Sequence, residues 1–277
     1  MRMQCAVASA VGLAVLATAP ASGQLGLVSE RQELEAGRQA DAEIVRKHRI
    51  SRDPYWNNLV RHLGRRLAAA SERSELPWTF RVIDSDELNA FSVPGYVYVN
   101  TGLLEAARAD QDAVAGVIAH EIAHTTGRHA AKQMEKGTIG ALLVGLIGGR
   151  NRTVGTLANV AANLVMLGYG RDDENDADRR AVRCMLRAGY DPNGLVRFFE
   201  MLERRGDRGG GGLATYFRTH PPTGDRIKRV REIISQERGR PRDDSDRRAR
   251  IRAGDRIEHP DPRREERSRQ LPDPWDD

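Results

Sequence analysis

The sequence holds only two cysteines, Cys5 and Cys184. Cys5 falls in an N-terminal run expected to leave on export. Cys184 is then alone, and no internal disulfide can form whatever the redox state of the compartment. Flanked by Val182, Met185 and Leu186, it reads as a small buried hydrophobe without a catalytic role. A surplus of one charge is also lacking. The formal net charge is +5 over 277 residues, with arginines interleaved among acidic residues. No basic stripe results, so there is no case for nucleic-acid binding. Long hydrophobic runs are missing as well. Cys5 to Ala19 falls short of the roughly 20 residues a membrane span needs. The apolar, Gly- and Ala-rich stretch from Thr138 to Gly170 is cut by Arg150-Asn151-Arg152 into halves that are shorter still. Internal repeats are absent.

Among what is present, Met1 and Arg2 open a short positive start before the apolar run, and Ala21-Ser22-Gly23 offers a cleavage site. Residues 1–23 are therefore expected to be a cleavable signal peptide, which places the chain in the periplasm. With no cysteine closing the apolar run, a lipid anchor there is not expected. From about Arg238 to Asp277 the chain is Arg, Asp, Glu and Pro with hardly any apolar residue. Such a segment cannot offset its ordering entropy by burial, so residues 238–277 are expected to be a disordered charged tail. Between the two lies a single domain, residues 24–237.

Within that domain, charged residues at helical spacing run from Glu30 to Ile50. Trp56, Val60, Leu63 and Leu67 make Tyr55 to Ala70 an amphipathic helix. The period then changes. Phe80 to Ile83 reads as a strand, and so does Ser92 to Asn100 around a Pro94-Gly95 turn. Thr101 is placed to cap a short helix through Ala107. Asp110 is placed to cap a longer one whose inward stripe is Val114, Ile118 and Ile122. Helices follow over Asp172 to Ala188 and Leu195 to Arg204, then a glycine run over 209–212. The expected class is α+β, mainly helical, with a small sheet. The Thr138–Gly170 stretch is expected as buried helices or a cover over a cleft, with a peripheral membrane contact left open.

His120-Glu121-Ile122-Ala123-His124 lies inside the second of those capped helices. Residues four apart on a helix differ by about 40° and one turn, so both imidazoles project toward one point. Two such nitrogens make half a zinc site. Glu121, about 100° round, flanks the metal without ligating it, as a general base toward water requires. The segment Val114 to His124 is too apolar for an exposed helix, so its polar residues need partners or a ligand.

The third ligand is open on spacing. A metzincin pattern needs a third histidine at position 130, which holds Ala130; Gly127 is in place but His129 is off by one. That pattern fails. The alternative is a carboxylate from the acidic group Asp172, Asp173, Glu174, Asp176 and Asp178. Glu174 and Asp178 share a helix face, so Glu174 can ligate while Asp178 accepts the outer N–H of a ligand histidine. Spacing alone leaves Asp172, Asp173 and Asp176 equally open.

Glu174-Asn175-Asp176-Ala177-Asp178 resembles the E-x-x-A-D signature of CAAX-prenyl-protease-like zinc metallopeptidases of the HtpX type. Glu35-Ala36-Gly37-Arg38-Gln39, Asn89-Ala90-Phe91, Pro94-Gly95-Tyr96, Leu167-Gly168-Tyr169 and Thr219-His220-Pro221-Pro222 with Arg226-Ile227 are similar to further family segments. The likeness covers about residues 30 to 235, and is greatest to the soluble periplasmic, barrel-assembly-enhancing branch. It implies a zincin-like domain with one Zn2+ held by His120, His124 and Glu174, and Glu121 as base. It also implies unfolded or misassembled envelope proteins as substrates, and an outer-membrane assembly contact. No helical-repeat domain is recognisable after the protease segment, so roles that depend on one are not carried over.

His220, stiffened by the two prolines after it, is expected either to assist catalysis, to fill the open metal position and silence the enzyme, or to be structural. Arg226 is expected either as an oxyanion donor or in a salt bridge to the acidic group, supporting the ligands with Asp178. Substrate is expected to add as a strand along Tyr96, Val97, Tyr98, Val99 and Asn100, above the H-E-x-x-H helix. A zinc-bound chaperone or assembly factor with a silenced site is the alternative function.

Overall fold

The computed structural model describes residues 28–107, 110–133, 135, 169–206, 216, 220 and 225–240. The expected signal peptide, the body of the Thr138–Gly170 stretch, the glycine run, Thr219, Pro221, Pro222 and the tail beyond residue 240 lie outside the described residues.

Helix α1 (Glu30–Lys47) opens on a reciprocal cap: Gln32 N donates to Ser29 Oγ, and Ser29 N donates to the Gln32 carboxamide at 2.9 Å. Helix α2 (Pro54–Ala70) starts with proline, and Asp53 accepts the Tyr55 N–H at 2.8 Å. It buries Trp56, Val60, Leu63 and Leu67, the stripe read from the sequence.

Three strands follow: β1 (Thr79–Ile83), β2 (Ala90–Val93) and β3 (Tyr96–Asn100). The strand expected over Ser92 to Asn100 is thus a hairpin. Its turn needs Gly95, whose φ of 87° is a left-handed conformation that a side chain resists. Sheet order is β1-β3-β2, with β3 parallel to β1 and antiparallel to β2.

This order overturns the expected substrate strand. Tyr96 to Asn100 is the central strand, with backbone groups committed to β1 on one side and β2 on the other, and no ladder is left for a peptide. Local pattern could not reveal this, because the parallel return of β1 is a long-range pairing that no turn signals. The edge beside the H-E-x-x-H helix is β2. The Asn100 N–H bonds the Asn89 carbonyl, which sets the phase of the antiparallel ladder. Phe91 and Val93 therefore bond β3, while Ala90 and Ser92 turn their amides and carbonyls outward. Among the described residues no strand pairs with that outer edge.

The two sheet faces divide the apolar residues. Val82, Ala90, Val97 and Val99 join the main helical core, while Ile83, Phe91, Val93 and Tyr98 pack with Ala40 and Ile44 of α1. Helix α3 (Thr101–Ala107) begins at Thr101, but that side chain does not cap it. Its hydroxyl donates to the Ser85 carbonyl and accepts the Ser85 N–H, pinning the end of β3 to the loop after β1.

Helix α4 (Gln111–Thr126) carries the motif. Asp110 caps it by accepting the Ala113 N–H at 2.9 Å. Every residue from Ala113 to Thr125 is buried, so the expected stripe is in fact a whole helix surface. The cause is position: α2, β2, α5 (Arg171–Ala188) and α6 (Asn193–Gly206) surround it, and α5 and α6 cover it most. Helix α7 (Arg226–Arg238) closes over α5 and α6. At the end of α4, the fully buried Glu33 of α1 receives Arg73 Nη1 at 3.2 Å and Arg128 Nε at 3.1 Å, and Arg73 also bonds the Thr125 carbonyl.

Candidate metal centre

His120 and His124, one turn apart on α4, bring their Nε2 atoms to 3.0 Å. Glu174 reaches the same point from the first turn of α5, where the helix dipole favours a carboxylate. Its oxygens lie 3.5 Å from each of those nitrogens. Four groups (His120, His124, Glu174 and His220) each offer a donor atom within 4.8 Å of the others, and all four are buried. Helices α4 and α5 can approach closely because small residues, Ala119 and Ala123 on one and Ala177 and Ala181 on the other, enter the shared core.

The side chains around this point are held from behind. Asp178, one turn after Glu174, lies 3.0 Å from His120 Nδ1. Arg226, at the start of α7, donates to both Asp178 oxygens, at 2.9 and 2.8 Å, and places Nη1 2.8 Å from Glu174. Its guanidinium also covers the Phe199 ring at 4.3 Å. Of the two roles expected for Arg226, the salt bridge to the acidic group is the arrangement present. His220 places Nδ1 3.0 Å from Glu174 and Nε2 3.3 Å from Glu121. Glu121 itself is fully buried and accepts a hydrogen bond from Ser92 Oγ of β2 at 3.1 Å.

Burial penalises charge here, and specific partners override it unevenly. Burial would lower the His120 imidazole, but Asp178 and Glu174 raise it to about 9. His124 is driven well below the ordinary histidine range by burial and by the neighbouring His120. Two imidazoles 3.0 Å apart cannot both be cationic, so the pair carries at most one positive charge. Burial pushes Glu174 upward, yet His220 and His120 hold it well below the usual carboxylate range. Asp178 is likewise lowered, with Arg226 and His120 outweighing burial.

Zinc fits this donor set. Tetrahedral donors on bonds of about 2.0–2.1 Å stand about 3.3–3.4 Å apart, close to the separations of the two Nε2 atoms and the Glu174 oxygens. The centre buries three carboxyl groups, Glu121, Glu174 and Asp178, and one guanidinium, Arg226. With neutral imidazoles, a divalent cation balances the remainder. Glu121 Oε1 and His220 Nε2 are buried 3.3 Å apart as an ion-pair contact, without a well-formed hydrogen bond to either atom among the described residues, which leaves both with bonding capacity for a ligand.

The profile of peptidase family M48 matches residues 54–234, which include every helix that supplies a donor. The chain belongs to peptidase family M48. Among curated proteins, it is 29% identical over 184 residues to the beta-barrel assembly-enhancing protease of Escherichia coli K12, covering 62% of this chain and 37% of that one. A Vibrio cholerae protein assigned to the same class is 33% identical over 199 residues, or 68% of this chain and 41% of its own. The mitochondrial metalloendopeptidase OMA1 of Schizosaccharomyces pombe is 30% identical over 174 residues, covering 62% and 51% of the two chains. This M48 chain thus spans about two fifths of the length of the bacterial relatives.

Three residues at the centre escape a sequence reading of roles. Ser92 touches Glu121 only because β2 crosses α4. Tyr169, quoted above for family likeness alone, stacks on His124 with ring centroids 3.8 Å apart. His129, set aside above as a ligand, is fully buried behind His124. Its proximity to the motif was the one available signal.

Proposed function

We propose that this M48 chain is an exported zinc endopeptidase that cleaves unfolded or misassembled envelope proteins in the periplasm. The observation that carries the reading is the convergence of His120, His124 and Glu174 on one point with Glu121 beside it. Family membership and the peptidase activity for which the relatives are named support it. Among the described residues no helix is long and apolar enough to cross a membrane.

In this reading His120, His124 and Glu174 hold the ion, and Asp178 and Arg226 fix His120 and Glu174 from behind. Zinc held there supplies Lewis acidity toward a scissile carbonyl and acidifies water. Glu121 takes the proton of the attacking water and delivers it to the leaving amine. Ser92 keeps that carboxylate aimed. The substrate backbone adds to the outer edge of β2, where the amides and carbonyls of Ala90 and Ser92 point away from β3, and reading backbone more than side chains gives broad sequence tolerance.

Casein or an unfolded envelope protein, incubated with wild type, Glu121→Gln and Glu174→Ala, tests the assignment. Glu121→Gln is expected to retain one zinc per chain and cleave nothing, and Glu174→Ala to lose zinc. Full cleavage by Glu121→Gln, or undiminished zinc in Glu174→Ala, overturns it. A second reading rests on His220, which sits between Glu174 and Glu121 where water and carbonyl must enter. There it acts as a gate, and cleavage appearing only in His220→Ala identifies a silenced resting enzyme. Cleavage by no variant favours a zinc-bound chaperone or assembly factor.

A further inference from the structure

The two motif histidines are braced differently. His120 meets Asp178 directly, whereas the outer nitrogen of His124 meets another imidazole. His124 Nδ1 lies 3.0 Å from Nδ1 of His129, and His129 Nε2 lies 3.1 Å from Asp176 Oδ2. Arg180 Nε holds that same Asp176 oxygen at 2.7 Å. We propose that His129 is a positioning residue that fixes His124 for metal binding through a His124–His129–Asp176 relay. The proposal rests on the zinc reading above.

Proton counting gives the relay one direction. A neutral imidazole that offers Nε2 to a cation carries its proton on Nδ1. In His124 that proton points to His129 Nδ1, which must accept. The proton of His129 is then on Nε2 and is donated to Asp176. Each nitrogen has one role, and a carboxylate on α5 sets the tautomer of a ligand on α4 across an intervening ring.

Backbone features were needed to bring His129 there. On a continuous helix a residue five positions on lies about 140° away from His124. Instead α4 ends at Gly127, Arg128 adopts a left-handed φ of 56°, and helical structure resumes at 129. A left-handed conformation is disfavoured for a non-glycine residue, and here it is offset by the Arg128 contacts to Glu33 and the Val28 carbonyl. Gly127 supplies the space. A Cβ at that position would stand 2.4 Å from His129 Nε2 and 3.0 Å from Asp176 Oδ2, inside the relay's own hydrogen bond.

The test uses the full chain as wild type, His129→Ala, Asp176→Ala and the double variant. Zinc dissociation constants come from chelator competition, ligand geometry from the visible spectrum of the cobalt(II) form, and folding from circular dichroism without metal. Each single variant is expected to weaken zinc binding about 10–100-fold and to shift the cobalt bands. The double variant should bind no more weakly than His129→Ala, because the links act in series. His129→Asn, whose Oδ1 can accept from His124, should recover part of the affinity. Zinc binding within twofold of wild type in folded single variants overturns the relay, as do losses that multiply in the double variant. Should His129→Ala not fold, Asp176→Ala, at the more exposed end, carries the same comparison. A wild type that binds no zinc removes the metal reading itself, an outcome distinct from tight binding by all variants.

Discussion

Ser92 and Glu121 lie on different elements and are both buried, with the hydroxyl donating across 3.1 Å. A hydrogen bond to a charged group contributes about 1.5–3 kcal/mol, and part of that is expected in the turnover step. Ser92→Ala should lower kcat about tenfold, a change of about 1.4 kcal/mol, with zinc content and KM little altered. A fall in zinc content of the same size would instead make Ser92 a prop for the metal site. At this scale the motif itself was legible: the spacing of His120, Glu121 and His124 follows from helix period alone. Glu174 was separable from its acidic neighbours only by family resemblance, because Asp172, Asp173 and Asp176 offer the same chemistry at similar spacing. Three dimensions separate them, with Glu174 buried at the histidines and Asp176 turned toward His129. His129 was set aside as a ligand and is not among the four donors, but its place behind His124 could not be foreseen. An ideal helix carries it away from the centre, and only the left-handed Arg128 returns it.

Helix α4 depends on its cap as much as on its core. Asp110 receives the Ala113 N–H and also Arg197 Nη2 at 3.1 Å from α6, so one carboxylate fixes both the start of α4 and its packing partner. The Arg197 guanidinium, aided by the Ala113 amide and opposed by burial, holds Asp110 below the usual carboxylate range. Its folded pKa is depressed, so the ionic part of its contribution is present above pH about 4 and fades as pH falls through the folded value. Asp110→Ala should cost about 0.5–2 kcal/mol at pH 7, with the gap to wild type narrowing below pH 4. Urea unfolding at the two pH values measures this, and a gap independent of pH would deny the carboxylate its charged role. Most elements were visible in the sequence because caps and periodicity are local: Asp110, the α2 stripe and the turn at Pro94-Gly95 all hold. The pairing of β1 with β3 was not visible, and with it went the identity of the edge strand.

For the whole molecule, the centre joins α4, α5 and the start of α7, so an ion bound there ties together helices distant in sequence. Binding to the folded chain alone stabilises it by about 2.7 kcal/mol at a free ligand concentration one hundred times Kd. For a domain near 200 residues that corresponds to a rise in Tm of roughly 5–10 °C. Calorimetry with zinc and with a chelator should show it, and His124→Ala should abolish it. Equal Tm values in the two conditions would place the ion outside the fold's cooperative unit. The sequence by itself determined the mainly helical class and the spacing of His120, Glu121 and His124 on one helix, because helix period and capping act over a few residues. Only the tertiary structure decided which strand lies at the edge of the sheet, which partners brace each histidine, and where His220 and Arg226 stand. Those relations are set by contacts between residues tens of positions apart, and no local pattern encodes them.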